Sequence, residues 1–201
     1  MSIAGYILEK NGEDMRKKRR FSTYDYILIP LMAVLTCAGG LIRLPLPPVP
    51  FTLQTLFVYL AGLILGQKKG VYSQLLFLML GLSGLPVFSG GGGPSYVLHP
   101  TFGYLLGFPL AAFIMGHVKG FSLKKVKTAT IVRAAAAVTV ILIPGALYVY
   151  LNLTFIAGGA SSISPAAALS GGVLVFLPGE IIKIMLAFII LKRLAPYLRL
   201  Q

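Results

Sequence analysis

The chain has 201 residues, of which 57% are hydrophobic and only 11% are charged, and its mean hydropathy is +0.86. A water-soluble domain of this length cannot bury so much apolar surface, so the composition indicates a one-domain, all-α integral membrane protein. The net charge is +13, but the Lys and Arg residues lie in short runs between apolar spans. That distribution is typical of membrane topology and argues against nucleic-acid binding.

The N-terminal end is polar and basic. Residues 1–23 include the run RKKRR at 16–20, and no apolar stretch with a small-residue cleavage site precedes the first apolar span. We therefore expect a cytoplasmic arm and no cleaved signal peptide. Cys37 is the one cysteine of the chain and lies in an apolar span, so the sequence predicts neither a disulfide nor a thiolate metal site.

Charges and Pro/Gly clusters divide the rest of the chain into six predicted transmembrane helices. A membrane domain over 24–195 would hold helices at about 24–42, 51–66, 71–87, 101–118, 130–151 and 165–194, followed by a short tail over 196–201. The Pro-rich stretch 43–50 is predicted to be extended, because each proline removes a donor and biases its predecessor away from the helix. The basic stretch 67–70 is predicted to be a turn.

A long irregular loop is predicted after the third helix. Residues 83–100 contain five Gly and three Pro, and are unusually apolar for a solvent loop. The loop is either a flexible connector or a lid. It lacks the Gly-Lys-Ser/Thr ending of a Walker A site, and so does the rest of the chain, so ATP binding is not expected here.

The distribution of positive charge predicts the orientation in the membrane. The N-terminal arm, the 67–70 and 119–127 turns and the C-terminal tail together carry fifteen Lys and Arg, whereas the opposite loops carry only Arg43. Cytoplasmic loops carry the excess of Lys and Arg, so we expect both termini in the cytoplasm and the Pro-rich, Gly-rich and 152–164 loops outside.

The last apolar segment contains the most unusual pair of residues. Glu180 is the only acidic residue after Asp25, and residues 134–179 and 184–191 carry no charge. Ionisable groups in hydrocarbon are expensive and usually mark a ligand, ion or proton site. Lys183 follows at i+3, so a helix places both side chains on one face, about 13 to 18 Å from the basic end at Lys192. The alternative is a self-neutralising ion pair without a ligand.

Polar residues near the start of the fourth helix are the other candidates for a site. A helix N-terminus offers free N–H groups to an anion or a carbonyl, and the residues expected at its mouth are Ser95, Tyr96, Thr101 and Tyr104. His99 and His117 lie at opposite ends of this helix and cannot share a metal ion. No nucleophile–base grouping accompanies the buried carboxylate, so the sequence does not predict an enzyme.

Small residues in the first helix form a further pattern. Ala33 and Cys37 have the small-xxx-small spacing that lets another helix approach closely. Most such pairs pack inside their own bundle, so the spacing alone favours internal packing.

Four segments, taken in order, resemble one known family. They are PLPPVPFTLQ at 45–54, GLPVF at 84–88 with the glycines after it, PTFGYLLGF at 100–108 and LPGEIIK at 177–183. They resemble the BioY family, the biotin-specific S components of energy-coupling factor (ECF) transporters. The resemblance covers about residues 25–195.

The resemblance implies a fold, a ligand and partners. The fold would be an S-component bundle of six helices in a prokaryotic plasma membrane. The chain would capture biotin from outside with high affinity and bind no cofactor or metal. A transmembrane coupling protein and a pair of cytoplasmic ATPase subunits would complete the transporter and hydrolyse ATP.

The resemblance also implies roles for individual residues. Glu180 and Lys183 would contact biotin, although the family more often has Asp at the first position. Aromatic walls and hydrogen bonds would come from Tyr96, Phe102 and Tyr104, and the first motif adds Gln54 to the expected site. The small residues Ala33 and Cys37 match an Ala-x-x-x-Ala surface for the coupling protein, which favours a partner contact over internal packing.

Three alternatives compete with biotin capture. An S component for another small vitamin would have the same architecture. A proton-coupled secondary transporter could use Glu180 as its proton site, although six helices without an inverted repeat argue against it. A membrane scaffold would bind no ligand at all.

Overall fold

The computed structural model describes residues 21–45, 49–118, 128–156 and 164–197, and helices dominate these residues. The helices are α1 Thr23–Leu41, α2 Gln54–Leu65, α3 Gln67–Leu82, α4 Phe102–Met115, α5 Thr128–Leu151, α6 Pro165–Leu169 and α7 Leu177–Leu194. Two short strands, β1 Arg43–Leu44 and β2 Phe51–Thr52, pair antiparallel. A 3₁₀-helix spans Pro94–Leu98, and π-helical turns span Asn152–Ile156 and Ser170–Leu174. The prediction of an all-α bundle is confirmed.

Three helical stretches of the described chain are long and apolar enough to cross a membrane. They are Thr23–Leu41, Thr128–Phe155 and Pro165–Leu194. The shorter α2 and α4 have 12 and 14 residues, or about 18 and 21 Å, against a hydrocarbon core of about 30 Å. They cross it only together with flanking segments, and the count of six crossings stays a prediction, as does the orientation of the termini.

Close approach of backbones holds the bundle together. α4 packs along α5, where an added Cβ at Gly103 or Gly107 would overlap atoms of α5. α1 packs on α2 and α3, and an added Cβ at Gly39 would lie 3.0 Å from the backbone nitrogen of Gln54. Without a hydrophobic driving force between helices in lipid, such small-residue contacts supply van der Waals packing.

The predicted turn at 67–70 is wrong, because these residues form the first turn of α3. Gly66, with φ 77°, reverses the chain in a single residue, a conformation that glycine adopts without steric cost. The charge of the lysine pair is partly compensated, since Lys69 Nζ lies 2.7 Å from a carboxylate oxygen of Asp25 on α1. The positive charges therefore mark a helix start and not a loop.

Two further helix bounds differ from the sequence expectation. The second helix begins at Gln54, not near 51, because Phe51–Thr52 pairs with β1. The third ends at Leu82, not near 87, since Gly84 has φ 111° and Pro86 follows.

The last span has an internal break. The stretch predicted as one helix over 165–194 contains a π-helical turn at Ser170–Leu174 and a further turn at Val175 and Phe176, where the regular α-helical hydrogen bonding is interrupted. Pro178 explains the interruption, because its ring clashes with the carbonyl four residues earlier and it has no N–H to donate.

Several expectations fall outside the described residues. These are most of the basic arm at 1–20, the centre of the Pro-rich stretch at 46–48, the basic turn at 119–127, the middle of the 152–164 loop at 157–163 and the end of the tail at 198–201.

The expected partner surface on α1 needs a correction. Ala33 is completely buried and belongs to the hydrophobic core, and Cys37 is half-buried against that core. The physical reason is that α1 contacts both α2 and α3, which takes its small-residue face into the bundle. In this conformation Ala33 is an internal packing position.

Candidate ligand site around a buried ion pair

The candidate site lies where α7 packs on α2. Glu180 and Lys183 are one turn apart on α7 and only 2% and 3% exposed. On α2, Thr55 and Tyr59 are also one turn apart, and both are buried. Side chains at i, i+3 and i, i+4 share a helix face, so each helix presents a polar pair to the other.

A closed set of hydrogen bonds joins these four side chains. Lys183 Nζ lies 2.6 Å from Glu180 Oε1 and donates to Thr55 Oγ1 at 2.8 Å. The Thr55 hydroxyl donates in turn to Glu180 Oε1 at 3.0 Å, and the Tyr59 hydroxyl donates to Glu180 Oε2 at 2.5 Å. Lys183 Nζ also lies 4.0 Å from the centroid of the Phe51 ring, within cation–π range.

The electrostatics of this arrangement leave specific capacity for a ligand. Glu180 accepts three hydrogen bonds, and a carboxylate has about four lone-pair sites, so one position on Oε2 remains. Lys183 has three N–H groups, of which Glu180 and Thr55 take two and the Phe51 face attracts the third. A ligand could therefore gain one acceptor on Glu180, and one donor from Lys183 where it takes the place of the Phe51 ring.

A cavity opens onto this ion pair. Its volume of about 50 Å³ is room for a few waters and not for a vitamin. Its walls must therefore separate before a larger ligand enters. It is lined by Val49, Pro50, Thr52, Gln54, Thr55, Ser89, Thr101, Tyr104, Leu105, Phe108, Ile141, Leu142, Phe176, Glu180 and Lys183.

The structure brings some of the other expected site residues to this cavity. Gln54, Thr101 and Tyr104 line it. Gln54 is buried, and its amide nitrogen reaches the carbonyl of Val87 at 3.5 Å. The Tyr104 hydroxyl is already used, because it donates to the carbonyl of Gly172 at 2.8 Å.

Three expected site residues do not line the cavity. Ser95 is exposed on the 3₁₀-helix. Phe102 is buried against the Tyr148 ring, with 6.2 Å between centroids. Tyr96 lies one layer behind the wall, where its hydroxyl is 2.8 Å from the Thr101 hydroxyl.

The Gly-rich loop is folded onto the bundle. Phe88 and Tyr96 are buried, and the Phe88 ring packs on Phe77 of α3 with 5.3 Å between centroids. The Tyr96 hydroxyl accepts from the backbone N–H of Gly90 at 3.1 Å. These contacts favour the lid interpretation of this loop over a flexible connector.

A histidine supports the inner end of this loop. His99 Nδ1 accepts from the backbone N–H of Thr101 at 3.3 Å, and its ring stacks on Tyr96 at 4.6 Å. Partial burial lowers the pKa of the His99 imidazole from its ordinary value, because fewer water molecules solvate the charged form.

Sequence reasoning missed three residues that touch the ion pair, namely Phe51, Thr55 and Tyr59. A signal was present, since polar residues at 52, 54, 55 and 59 cluster at the start of an otherwise apolar helix. Within the described residues, no group of three His, Cys, Asp or Glu side chains could hold a metal ion.

Comparison with known proteins identifies relatives over most of the chain. The model of the BioY family matches residues 15–200. A probable biotin transporter BioY of Pyrococcus horikoshii is 39% identical over 172 residues, 83% of this chain and 93% of the relative. A biotin transporter BioY of Rhizobium etli is 34% identical over 171 residues, which are 83% of this chain and 90% of the relative.

A shorter match and a solved structure add to these relatives. A probable biotin transporter BioY of Lysinibacillus sphaericus is 55% identical over 97 residues, about half the length of each chain. The crystal structure of the S-component for biotin from an ECF-type ABC transporter superposes with a TM-score of 0.72 at 27% identity. That match covers 88% of this chain and 95% of the other.

Proposed function

The chain belongs to the BioY family, and on that basis we propose that it captures biotin outside the cell as the substrate-binding subunit of an ATP-driven ECF transporter. Support comes from relatives whose names state biotin transport and from the fold shared with an S-component for biotin. The observation that carries the proposal is the ion pair at the cavity, an acceptor and a donor isolated in an apolar bundle.

The spacing of the pair favours the ureido ring of biotin as its partner. Glu180 Oε1 and Lys183 Nζ are 2.6 Å apart. A cyclic urea carries a carbonyl oxygen and an N–H group on adjacent atoms, so one ring can meet both residues together. Glu180 then accepts from a ureido N–H and Lys183 donates to the ureido carbonyl. The valerate carboxylate lies at the far end of biotin, too distant to meet Lys183 in the same pose.

The polar wall residues complete the proposed contacts. Gln54 and Thr101 offer further hydrogen-bonding groups at the cavity, and Tyr104 and Phe176 offer apolar faces for the fused rings. Tyr96 does not touch biotin in this proposal. Its hydroxyl holds Thr101 and the Gly-rich loop in place.

The energy source and partners are proposed from the family and the sequence. The chain carries no Walker A motif, so ATP hydrolysis is assigned to a pair of cytoplasmic ATPase subunits joined through a transmembrane coupling protein. The excess of Lys and Arg on one side assigns both termini to the cytoplasm, which leaves the cavity side facing outward.

Uptake of radiolabelled biotin tests this function against the proton-coupled alternative. We expect cells producing this chain with its coupling and ATPase subunits to accumulate biotin in the presence of an uncoupler, provided that ATP is maintained. An inactive ATPase should abolish accumulation. Uptake that stops with the uncoupler at constant ATP would assign the driving force to protons and overturn the proposal.

A further inference from the structure

A second concave surface lies between α5 and α7. It is a groove of about 780 Å³, formed almost wholly by apolar side chains of the two helices. From α5 it receives Ile131, Ala135 and Val138, and from α7 Ile181, Met185 and Ile189. The candidate ligand site does not use these side chains.

The break in the last span explains the groove. The Ser170–Leu174 turn packs on α5, but beyond the turn at Val175 and Phe176 the main contacts of α7 are with α2. α7 thus leans away from α5, and the facing side chains stay accessible. Ile181 and Met185 remain 58% and 59% exposed.

The length of the groove matches one membrane leaflet. On α7 it extends from Leu177 to Ile189, which is about 18 Å at 1.5 Å per residue. Half of the hydrocarbon core is about 15 Å thick, so one acyl chain of a single leaflet fits along it.

The charge at one end of the groove complements a phosphate. Lys192 and Arg193 are exposed and follow Ile189 by three and four residues, which places them on the same helix face. The acidic residue at the other end, Glu180, is already paired with Lys183. The groove therefore combines an apolar channel with a cationic end.

We propose that this groove binds one anionic phospholipid, with an acyl chain between α5 and α7 and the phosphate at Lys192 and Arg193. Basic side chains near a membrane surface attract anionic headgroups, each with an effect of about fivefold. The groove shares Glu180 with the candidate ligand site, but the lipid contacts proposed here do not use Glu180 and do not depend on the biotin proposal.

The absence of Trp from the sequence makes a direct test possible. Met185→Trp places a single fluorophore in the groove, and Ile182→Trp places one at matched exposure, 58% against 59%, outside the residues that line it. Both variants of the full chain enter nanodiscs of phosphatidylcholine with a rising fraction of brominated phosphatidylglycerol. Quenching of Met185→Trp should saturate at a low fraction, while that of Ile182→Trp follows the bulk composition.

Charge variants test the headgroup contact. In the Met185→Trp background, Lys192→Gln should weaken the preference for phosphatidylglycerol about fivefold, whereas Lys68→Gln, the same change at an exposed lysine on α3, should leave it unchanged. Ile189→Trp serves as a second groove reporter if Met185→Trp does not fold.

Three results would overturn the proposal. Equal quenching of the groove and control reporters would mean that no lipid is bound selectively. Equal quenching of the groove reporter by brominated phosphatidylcholine would exclude headgroup recognition. Shielding of the groove reporter from both lipids, either on addition of a coupling subunit or at high protein density, would assign the groove to a protein partner or a second copy.

Discussion

Lys183→Met is the substitution that separates a ligand-binding pair from a structural one. The change keeps the volume of the side-chain stem but deletes the ammonium group, and so removes three contacts, namely those to Glu180, to Thr55 and to the Phe51 ring. A charge-assisted hydrogen bond to a ligand contributes about 1.5–3 kcal/mol. We therefore expect the dissociation constant of biotin to rise roughly ten- to hundredfold, since each 1.4 kcal/mol is a factor of ten.

The same change should also destabilise the fold. It leaves Glu180 buried at 2% exposure with hydroxyl donors but without a cation. Removing one partner of a buried ion pair costs about 3–5 kcal/mol, so the thermal midpoint should fall. The double variant Lys183→Met/Glu180→Gln removes the stranded charge and should recover most of this stability without recovering affinity.

Calorimetric titration of biotin and thermal unfolding of each purified variant provide the two readouts. Lys68→Met, the same substitution at an exposed lysine, is the matched control and should change neither. Because the proposed pose places the ureido ring at the pair, biotin amide should lose as much affinity as biotin in Lys183→Met. If Lys183→Met does not change the affinity for biotin amide, the valerate carboxylate of biotin, and not the ureido ring, meets Lys183. If the double variant recovers both stability and biotin affinity, the pair is structural.

Three further predictions follow from the contacts around the site. Thr55→Val keeps the side-chain shape but removes the hydroxyl that links Glu180 and Lys183, so the free energy of unfolding should fall by about 1.5–3 kcal/mol, whereas Thr55→Ser keeps the hydroxyl and should lose only about 0.8 kcal/mol for one buried methyl group. Bound biotin should slow hydrogen exchange at residues 86–100, since the loop must close over the ligand, and equal exchange with and without biotin would contradict the lid. The folded-state pKa of His99 lies below the unfolded value of about 6.5. The contribution of neutral His99 to stability is therefore complete above about pH 6.5, and it is lost as the pH falls from there through the folded-state pKa. Exchange at 86–100, corrected for the intrinsic rate, should therefore accelerate between pH 7.5 and 5.5, and the same acceleration in His99→Gln would exclude His99 as the cause.

The sequence predicted that Glu180 and Lys183 lie together on one helix face because the signal is local. A charge isolated in a long apolar run is visible without a structure, and the i+3 spacing assigns Glu180 and Lys183 to one face. The residues across from the pair were not predictable in this way. Thr55 is separated from Glu180 by 125 positions, so only the packing of α7 on α2 identifies it as a partner.

Ambiguous local patterns account for the corrections. The lysines at 68 and 69 fit either a loop or a helix start, and only the positive φ of Gly66 decides between them. Likewise, the spacing of Ala33 and Cys37 allows close packing with any helix. In the structure α1 contacts both α2 and α3, so the helices packed against this spacing belong to the same chain.

Equilibrium binding of radiolabelled biotin to the purified chain in nanodiscs tests the central claim most directly. We expect one biotin to bind saturably per chain without any ATPase subunit, and unlabelled biotin to displace it. A roughly ten- to hundredfold weaker binding in Lys183→Met and unchanged binding in Lys68→Met would locate the biotin site at the buried pair. An absence of saturable binding by a folded chain, or binding that both variants retain equally, would contradict the account.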